Sequence, residues 1–314
     1  MTGERGAYIR WLGRIAVGAG VAGVVGGAAG LTTVTVMKRQ AEYARQVIGK
    51  PLGEIALKVD RTYKKSYGDR IDLLIVGDSI AAGLGAYLPK RTLGGRLARQ
   101  LAKRTHRSVR LTSVAEVGAE TWMIPERQLP RLKPTYSPDL VVVIVGGNDV
   151  IHRVPLKDSV ASLAEVIDDL RTRGGQVVLG TCPDVGAVEA LKQPLKAYLQ
   201  LSCKQLAAAQ AEVAAAHGAR VVSLATAVGP FFATNPDEMF SIDRFHPSEL
   251  GYKRTAQALL PSLLAALDEG DPVAVGATAD VPEGEPVDRD RSGRLAGLSP
   301  RHRAVRAATD PDLA

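Results

Sequence analysis

Residues 71–79, Ile-Asp-Leu-Leu-Ile-Val-Gly-Asp-Ser, make an apolar run that stops abruptly on Gly77-Asp78-Ser79. The run reads as a buried strand, and its end sets a serine hydroxyl where strand gives way to loop. In an open α/β sheet, active sites gather beyond the carboxyl ends of the strands. A serine there is also ordinary turn or helix-cap chemistry, so this stretch alone does not establish catalysis.

Further apolar runs follow at 109–114, 138–146, 176–182 and 219–224. The clearest holds Leu140-Val141-Val142-Val143-Ile144-Val145, continuous and mostly β-branched, as a strand covered on both faces requires. Helical stretches near 89–105, 156–173, 193–217 and 247–268 alternate with these runs. The alternation predicts βαβ units with right-handed crossovers, and so an α/β fold on a parallel sheet of five strands.

The chain has 314 residues, 46% hydrophobic and 23% charged, which suits a globular domain with a substantial core. The net charge is +7, and Lys90, Arg91, Arg96, Arg99, Lys103, Arg104, Arg107 and Arg110 fall in a stretch without Asp or Glu. Such a stretch is either a solvated helix face or a contact for anionic lipid headgroups or cell-envelope polymer at 90–110. A nucleic-acid partner is not expected, because the few aromatic residues are not interleaved with these charges in any RNP-like or zinc-finger pattern.

Residues 15–37 carry no charge, with Arg5, Arg10 and Arg14 before them and Lys38 and Arg39 after. A helix of that length reaches about 34 Å, enough for a hydrocarbon core of about 30 Å. The run reads as a membrane signal-anchor, or as a signal peptide cut near Gly27-Ala28-Ala29, and either places the rest of the chain outside the cytoplasm. The organisation expected is a basic segment 1–14, this span, a helical stalk 38–69, one domain 70–268 and a disordered tail 269–314, where Pro, Gly and charged residues replace apolar periodicity. Only Cys182 and Cys203 are present, without zinc-ligand spacing. One disulfide is open to them if their Cα atoms come within about 7 Å.

Three further features follow the predicted strands. They are Gly118 within Ala115–Thr121, then Gly146-Gly147-Asn148-Asp149, then Asp243-Arg244-Phe245-His246 before the last helix. With Ser79, all fall on one rim of one sheet. A serine hydroxyl needs a base to become a nucleophile, and histidine is suited to that. The imidazole needs a partner on its second nitrogen, which Asp243 supplies at a spacing of three residues. The oxyanion of a tetrahedral intermediate needs donors, and the Ser79 N–H, the Gly118 N–H and the Asn148 amide are candidates. Each feature alone has an ordinary turn or capping explanation, and together they do not.

These blocks, Gly77-Asp78-Ser79, Gly118, Gly146-Gly147-Asn148-Asp149 and Asp243-Arg244-Phe245-His246, resemble those of the SGNH (GDSL-type) hydrolase family. The resemblance spans residues 70–268. It implies a flavodoxin-like three-layer α/β/α sandwich and serine-dependent ester hydrolysis without metal or cofactor. It also implies Ser79, Asp243 and His246 as a triad, with Ser79, Gly118 and Asn148 as oxyanion donors. Ile80 stands where the family's name has leucine and Ala81 where threonine or serine is frequent, which bears on substrate preference. The Gly-x-Ser-x-Gly elbow of α/β-hydrolases does not surround Ser79.

The expected substrate is a small-molecule or lipid ester with a short to medium acyl chain. The alternatives are an acyltransferase or deacylase acting on an envelope glycan or lipid, and a non-catalytic envelope-binding module. His152 and Trp122 are weaker candidates for the cleft, and Asp78 and Asp149 read as supports of their loops.

Overall fold

The computed structural model describes residues 24–269, with side chains over 33–268. The expected segment 1–14, the first part of the apolar span and the expected tail beyond residue 269 lie outside the described residues.

The strands are β1 (Arg61–Tyr63), β2 (Gly68–Gly77), β3 (Arg107–Ser113), β4 (Leu140–Ile144), β5 (Gln176–Gly180) and β6 (Arg220–Val222). The helices are α1 (Val24–Ile48), α2 (Ser79–Ala82), α3 (Leu93–Thr105), α4 (Gly147–His152), α5 (Leu156–Thr172), α6 (Leu195–Ala216), α7 (Leu224–Ala227), α8 (Gly229–Thr234), α9 (Pro236–Met239) and α10 (Glu249–Glu269). The sheet runs β1-β3-β2-β4-β5-β6, parallel throughout except for β1, which pairs antiparallel with β3.

The two-residue period of a strand sorts the core into two layers. Ile71, Leu73 and Ile75 of β2 and Leu140, Val142 and Ile144 of β4 face α3 and α10, meeting Leu97, Leu101, Leu259 and Leu263. Leu74, Val76, Val141 and Val143 face the other way onto Leu163, Val166 and Leu170 of α5. Apolar residues on both faces are why these strands read as unbroken runs. The three layers are helices, sheet and helices.

Two expectations change. The sheet has six strands rather than five. The added strand is β1, three residues on an edge, too short to show any period. The expected stalk 38–69 is helical only as far as Ile48. Met37, Ala41, Ala44 and Ile48 form a helical stripe that packs on the cluster around Leu195 and Leu199. Gln40 adds a donated bond to the Gln193 carbonyl at 2.5 Å and accepts from the Leu195 N–H at 3.2 Å. This part of the chain lies on the domain.

Of the apolar span at 15–37, the described part opens α1, which goes on to carry Lys38, Arg39, Glu42 and Arg45. Among the described residues no helix is long and apolar enough to cross a membrane. The basic stretch covers α3, which buries Leu93, Leu97 and Leu101 and leaves Lys103 and Arg104 exposed. Arg91 pairs with Glu249, and Arg110 donates to Asp72 at 2.7 Å. The charges of α3 lie on the outer face of an amphipathic helix.

Candidate active site

The turn that presents Ser79 is built on glycine. Gly77 has φ +131°, and a Cβ there would lie 1.9 Å from the Ile144 carbonyl oxygen. Only glycine lets β2 pass so close to the end of β4. The Asp78 N–H then donates to that same carbonyl at 3.0 Å. Its side chain caps α2, accepting from the Ile80 N–H at 2.9 Å. Ser79 becomes the first residue of a one-turn helix, closed by Gly83 in the left-handed region. The hydroxyl therefore leaves the sheet at a fixed angle.

Gln128 holds the same turn from behind. It is fully buried, accepts from the Gly77 N–H at 2.9 Å and donates to the Gly77 carbonyl at 2.7 Å. Gln210 does likewise one strand further on. It accepts from the Cys182 N–H at 2.7 Å and donates to the Val145 carbonyl at 3.0 Å. Each amide supplies a partner where the strands diverge and ladder bonds end. Neither residue was singled out from sequence. Gln210 carried a signal, since it interrupts the stripe Leu199, Cys203, Leu206, Ala214 on the buried side of α6. Gln128, in the polar run Glu126-Arg127-Gln128, carried none.

Asp243 and His246 share a tight turn before α10, not a helical one. Phe240 pairs with Pro247, the Ser241 N–H donates to the His246 carbonyl at 2.7 Å, and Arg244 has φ +57°. Ser241 Oγ ties the turn to the Gly85 carbonyl at 3.0 Å, near the end of the Ser79 loop. Asp243 Oδ1 accepts from the N–H groups of Phe245 and His246, both at 3.0 Å. Its Oδ2 lies 2.5 Å from His246 Nδ1, and His246 Nε2 lies 3.0 Å from Ser79 Oγ. Burial pushes the Asp243 carboxyl up, but the His246 ring and the two backbone N–H groups outweigh it and hold its pKa below the ordinary 3.8. Asp243 is thus a charged, buried anchor for the imidazole.

Asn148 lies in the first turn of α4 and lines the cavity beside Ser79 and His246. Its amide donates to the Ala119 carbonyl at 3.0 Å. Gly118 has φ +81° and an exposed position on the turn after β3, tied to β2 where the Glu116 N–H meets the Gly77 carbonyl at 3.0 Å. It does not line the cavity. The structure therefore joins Ser79, His246 and Asp243 in one chain of contacts and sets Asn148 beside them. Gly118 precedes Ala119, whose carbonyl accepts from the Asn148 amide.

The neighbouring acids hold loops. Asp149 is buried and accepts from the Thr121 N–H at 3.1 Å and from Ser159 Oγ at 2.7 Å. Glu120 joins His152 Nδ1 at 2.7 Å and accepts from Trp122 Nε1 at 2.5 Å. Neither His152 nor Trp122 lines the cavity. Among the described residues no cluster of His, Cys, Asp or Glu is placed to hold a metal ion.

Asp78 has a measurable consequence. Burial, with Asp149 nearby, raises its pKa from 3.8 to about 7. Between those values the native state binds the proton and the unfolded chain does not, so stability falls as pH rises from about 4 to about 7. The gap of about three pH units is worth about 4 kcal/mol. Asp78→Asn keeps a carbonyl oxygen for the Ile80 N–H and removes the titration. Its stability relative to wild type should match at pH 4 and exceed it by several kcal/mol at pH 8, read by urea unfolding at both pH values.

A cavity of about 530 Å³ opens beside the serine. Ser79, Asn148 and His246 line one part of it, and Val185, Val188, Leu224, Val228, Phe232 and Phe240 make much of the rest apolar. A polar reacting corner with an apolar continuation suits an ester with its acyl chain.

The GDSL-like lipase/acylhydrolase family model matches residues 75–254, from the end of β2 into α10. A GDSL-like esterase of Mycobacterium tuberculosis is 33% identical over 266 residues, covering 82% of this chain and 84% of that protein. The solved acetylxylan esterase of Geobacillus stearothermophilus shares the fold, with a TM-score of 0.50 at 18% identity over 63% of this chain and 95% of its own. The chain belongs to the GDSL-like lipase/acylhydrolase family and is a carboxylic ester hydrolase of that type.

Proposed function

We propose that the protein cleaves esters of short to medium acyl chains through a Ser79–His246–Asp243 triad. His246 Nε2 takes the Ser79 proton as Oγ attacks the ester carbonyl, and the alcohol leaves with that proton. Water then attacks the acyl-enzyme, with His246 again as base, and the carboxylic acid is released. Asp243 holds the imidazole in the tautomer that leaves Nε2 free to accept. The Ser79 N–H, the Gly118 N–H and the Asn148 amide are the proposed oxyanion donors. The single observation that carries this reading is the Ser79–His246 contact at 3.0 Å, backed by Asp243 on the far nitrogen.

The acyl chain is proposed to enter the apolar cavity. Each methylene moved from water into such a surface gains about 0.8 kcal/mol, close to a fourfold gain per carbon. Hydrolysis of p-nitrophenyl esters from acetyl to palmitoyl tests this. We expect kcat/KM to climb by up to about fourfold per methylene through the short acyl groups and to fall once the cavity is filled. A flat profile would place the acyl chain elsewhere. Product formed only with an added alcohol acceptor would move the reading to acyl transfer.

A further inference from the structure

Three successive residues of the turn after β3 are tied to three residues of α4. The Asn148 amide donates to the Ala119 carbonyl at 3.0 Å, and the Thr121 N–H donates to the Asp149 carboxylate at 3.1 Å. Between them, Glu120 Oε1 lies 2.7 Å from Nδ1 of His152, the last residue of α4. The first two contacts use backbone groups of the turn, so almost any residue at 119 or 121 offers them. The third joins two side chains and depends on which residues stand at 120 and 152. Neither of these two lines the cavity.

Glu120 is engaged through both oxygens. Its side chain is 15% exposed, and Oε2 accepts from Trp122 Nε1 at 2.5 Å. The Arg127 guanidinium in turn covers the Trp122 ring, 5.4 Å from its centroid. A carboxylate offers only acceptors, so Nδ1 of His152 carries the hydrogen of their contact. His152 stands four residues after Asn148, which puts both side chains on one face of α4. Holding Glu120 against that face also holds its neighbour, the Ala119 carbonyl, against the Asn148 amide. The tip of the turn has no such support, since a Cβ on Gly118 would meet nothing within 4 Å.

An amide NH2 group has two hydrogens. The Ala119 carbonyl takes one, which fixes the plane of the Asn148 amide and leaves the other for a group in the cavity that Asn148 lines.

We infer that Glu120 and His152 are positioning residues for Asn148, on the reading that this amide is an oxyanion donor. With the pair joined, the Ala119 carbonyl aims the second amide hydrogen at the place where the tetrahedral intermediate develops its charge. With the pair broken, the turn relaxes and the amide loses that fixed plane. The loss falls on the transition state rather than on the bound ester, so it shows in kcat and not in KM.

The test follows variants of the full chain on a p-nitrophenyl ester, with thermal unfolding of each. His152→Ala should lower kcat about tenfold with KM little changed, short of the roughly hundredfold that a misplacement of about 1 Å brings. His152→Asn keeps an N–H donor near the place of Nδ1 and should recover most of that loss. Asn148→Ala should lower kcat about a hundredfold or more. Adding His152→Ala to it should cost nothing further, because the pair then has no amide to aim. A slowed Asn148→Ala beside His152→Ala at the wild-type kcat, whatever its Tm, would overturn the inference and leave the oxyanion reading standing. So would losses that multiply in the double variant, or His152→Asn as slow as His152→Ala. Asn148→Ala at the wild-type rate would overturn the oxyanion reading itself, and the inference with it.

Discussion

Ser79→Ala should lose about a millionfold in kcat, and His246→Ala about as much, while the double variant is no slower than either. The loss amounts to about 8 kcal/mol of barrier. The reason for non-additivity is geometric. Ser79 Oγ and His246 Nε2 are 3.0 Å apart and act on one proton, so deleting either leaves the other with nothing to do. The fold should survive. Ser79→Ala removes one oxygen from the start of α2, whose cap is the Asp78 side chain and whose backbone anchor is the Ile144 carbonyl. Rates on a p-nitrophenyl ester, beside thermal unfolding of each variant, read both expectations. A double variant far slower than the singles would mean that the two residues act in separate steps.

Asp243→Asn should cost about ten thousandfold in kcat with KM little changed. Asp243 Oδ1 accepts two backbone N–H groups, from Phe245 and His246, while Oδ2 meets His246 Nδ1. In the asparagine variant those two donors claim the amide oxygen, which forces the NH2 group towards Nδ1. It then donates to Nδ1 and drives the ring proton onto Nε2. That nitrogen, pointing at Ser79, can no longer accept. A loss in KM rather than kcat would show that Asp243 serves the binding of substrate and not the imidazole.

The sheet was legible because β2 and β4 are buried on both faces and so appear as unbroken apolar runs. β1 was not, since three residues at an antiparallel edge carry no period and its pairing with β3 is a tertiary choice. The docking of α1 was hidden in a polar-looking stretch, although Met37, Ala41, Ala44 and Ile48 trace a helical stripe. Ser79, Asp243 and His246 could be singled out because each sits where a strand or turn ends and each side chain has a chemistry that needs the others. Gly118 reads the same way in sequence, and its turn meets the Asn148 amide through the Ala119 carbonyl, a link between two loops that local residues do not encode. Gln128 was invisible for the opposite reason. Its value lies in reaching a backbone 51 positions away, and nothing around it in the chain points there.

The most direct test of the central claim is covalent. An alkyl p-nitrophenyl phosphonate offers phosphorus in place of the ester carbonyl and traps an activated serine as a stable adduct. Intact mass and peptide mapping after inactivation should show one adduct per chain, on Ser79, with Ser79→Ala unlabelled and His246→Ala labelled far more slowly. Inactivation with the adduct on another residue, or Ser79→Ala reacting at the wild-type rate, would contradict Ser79 as the nucleophile.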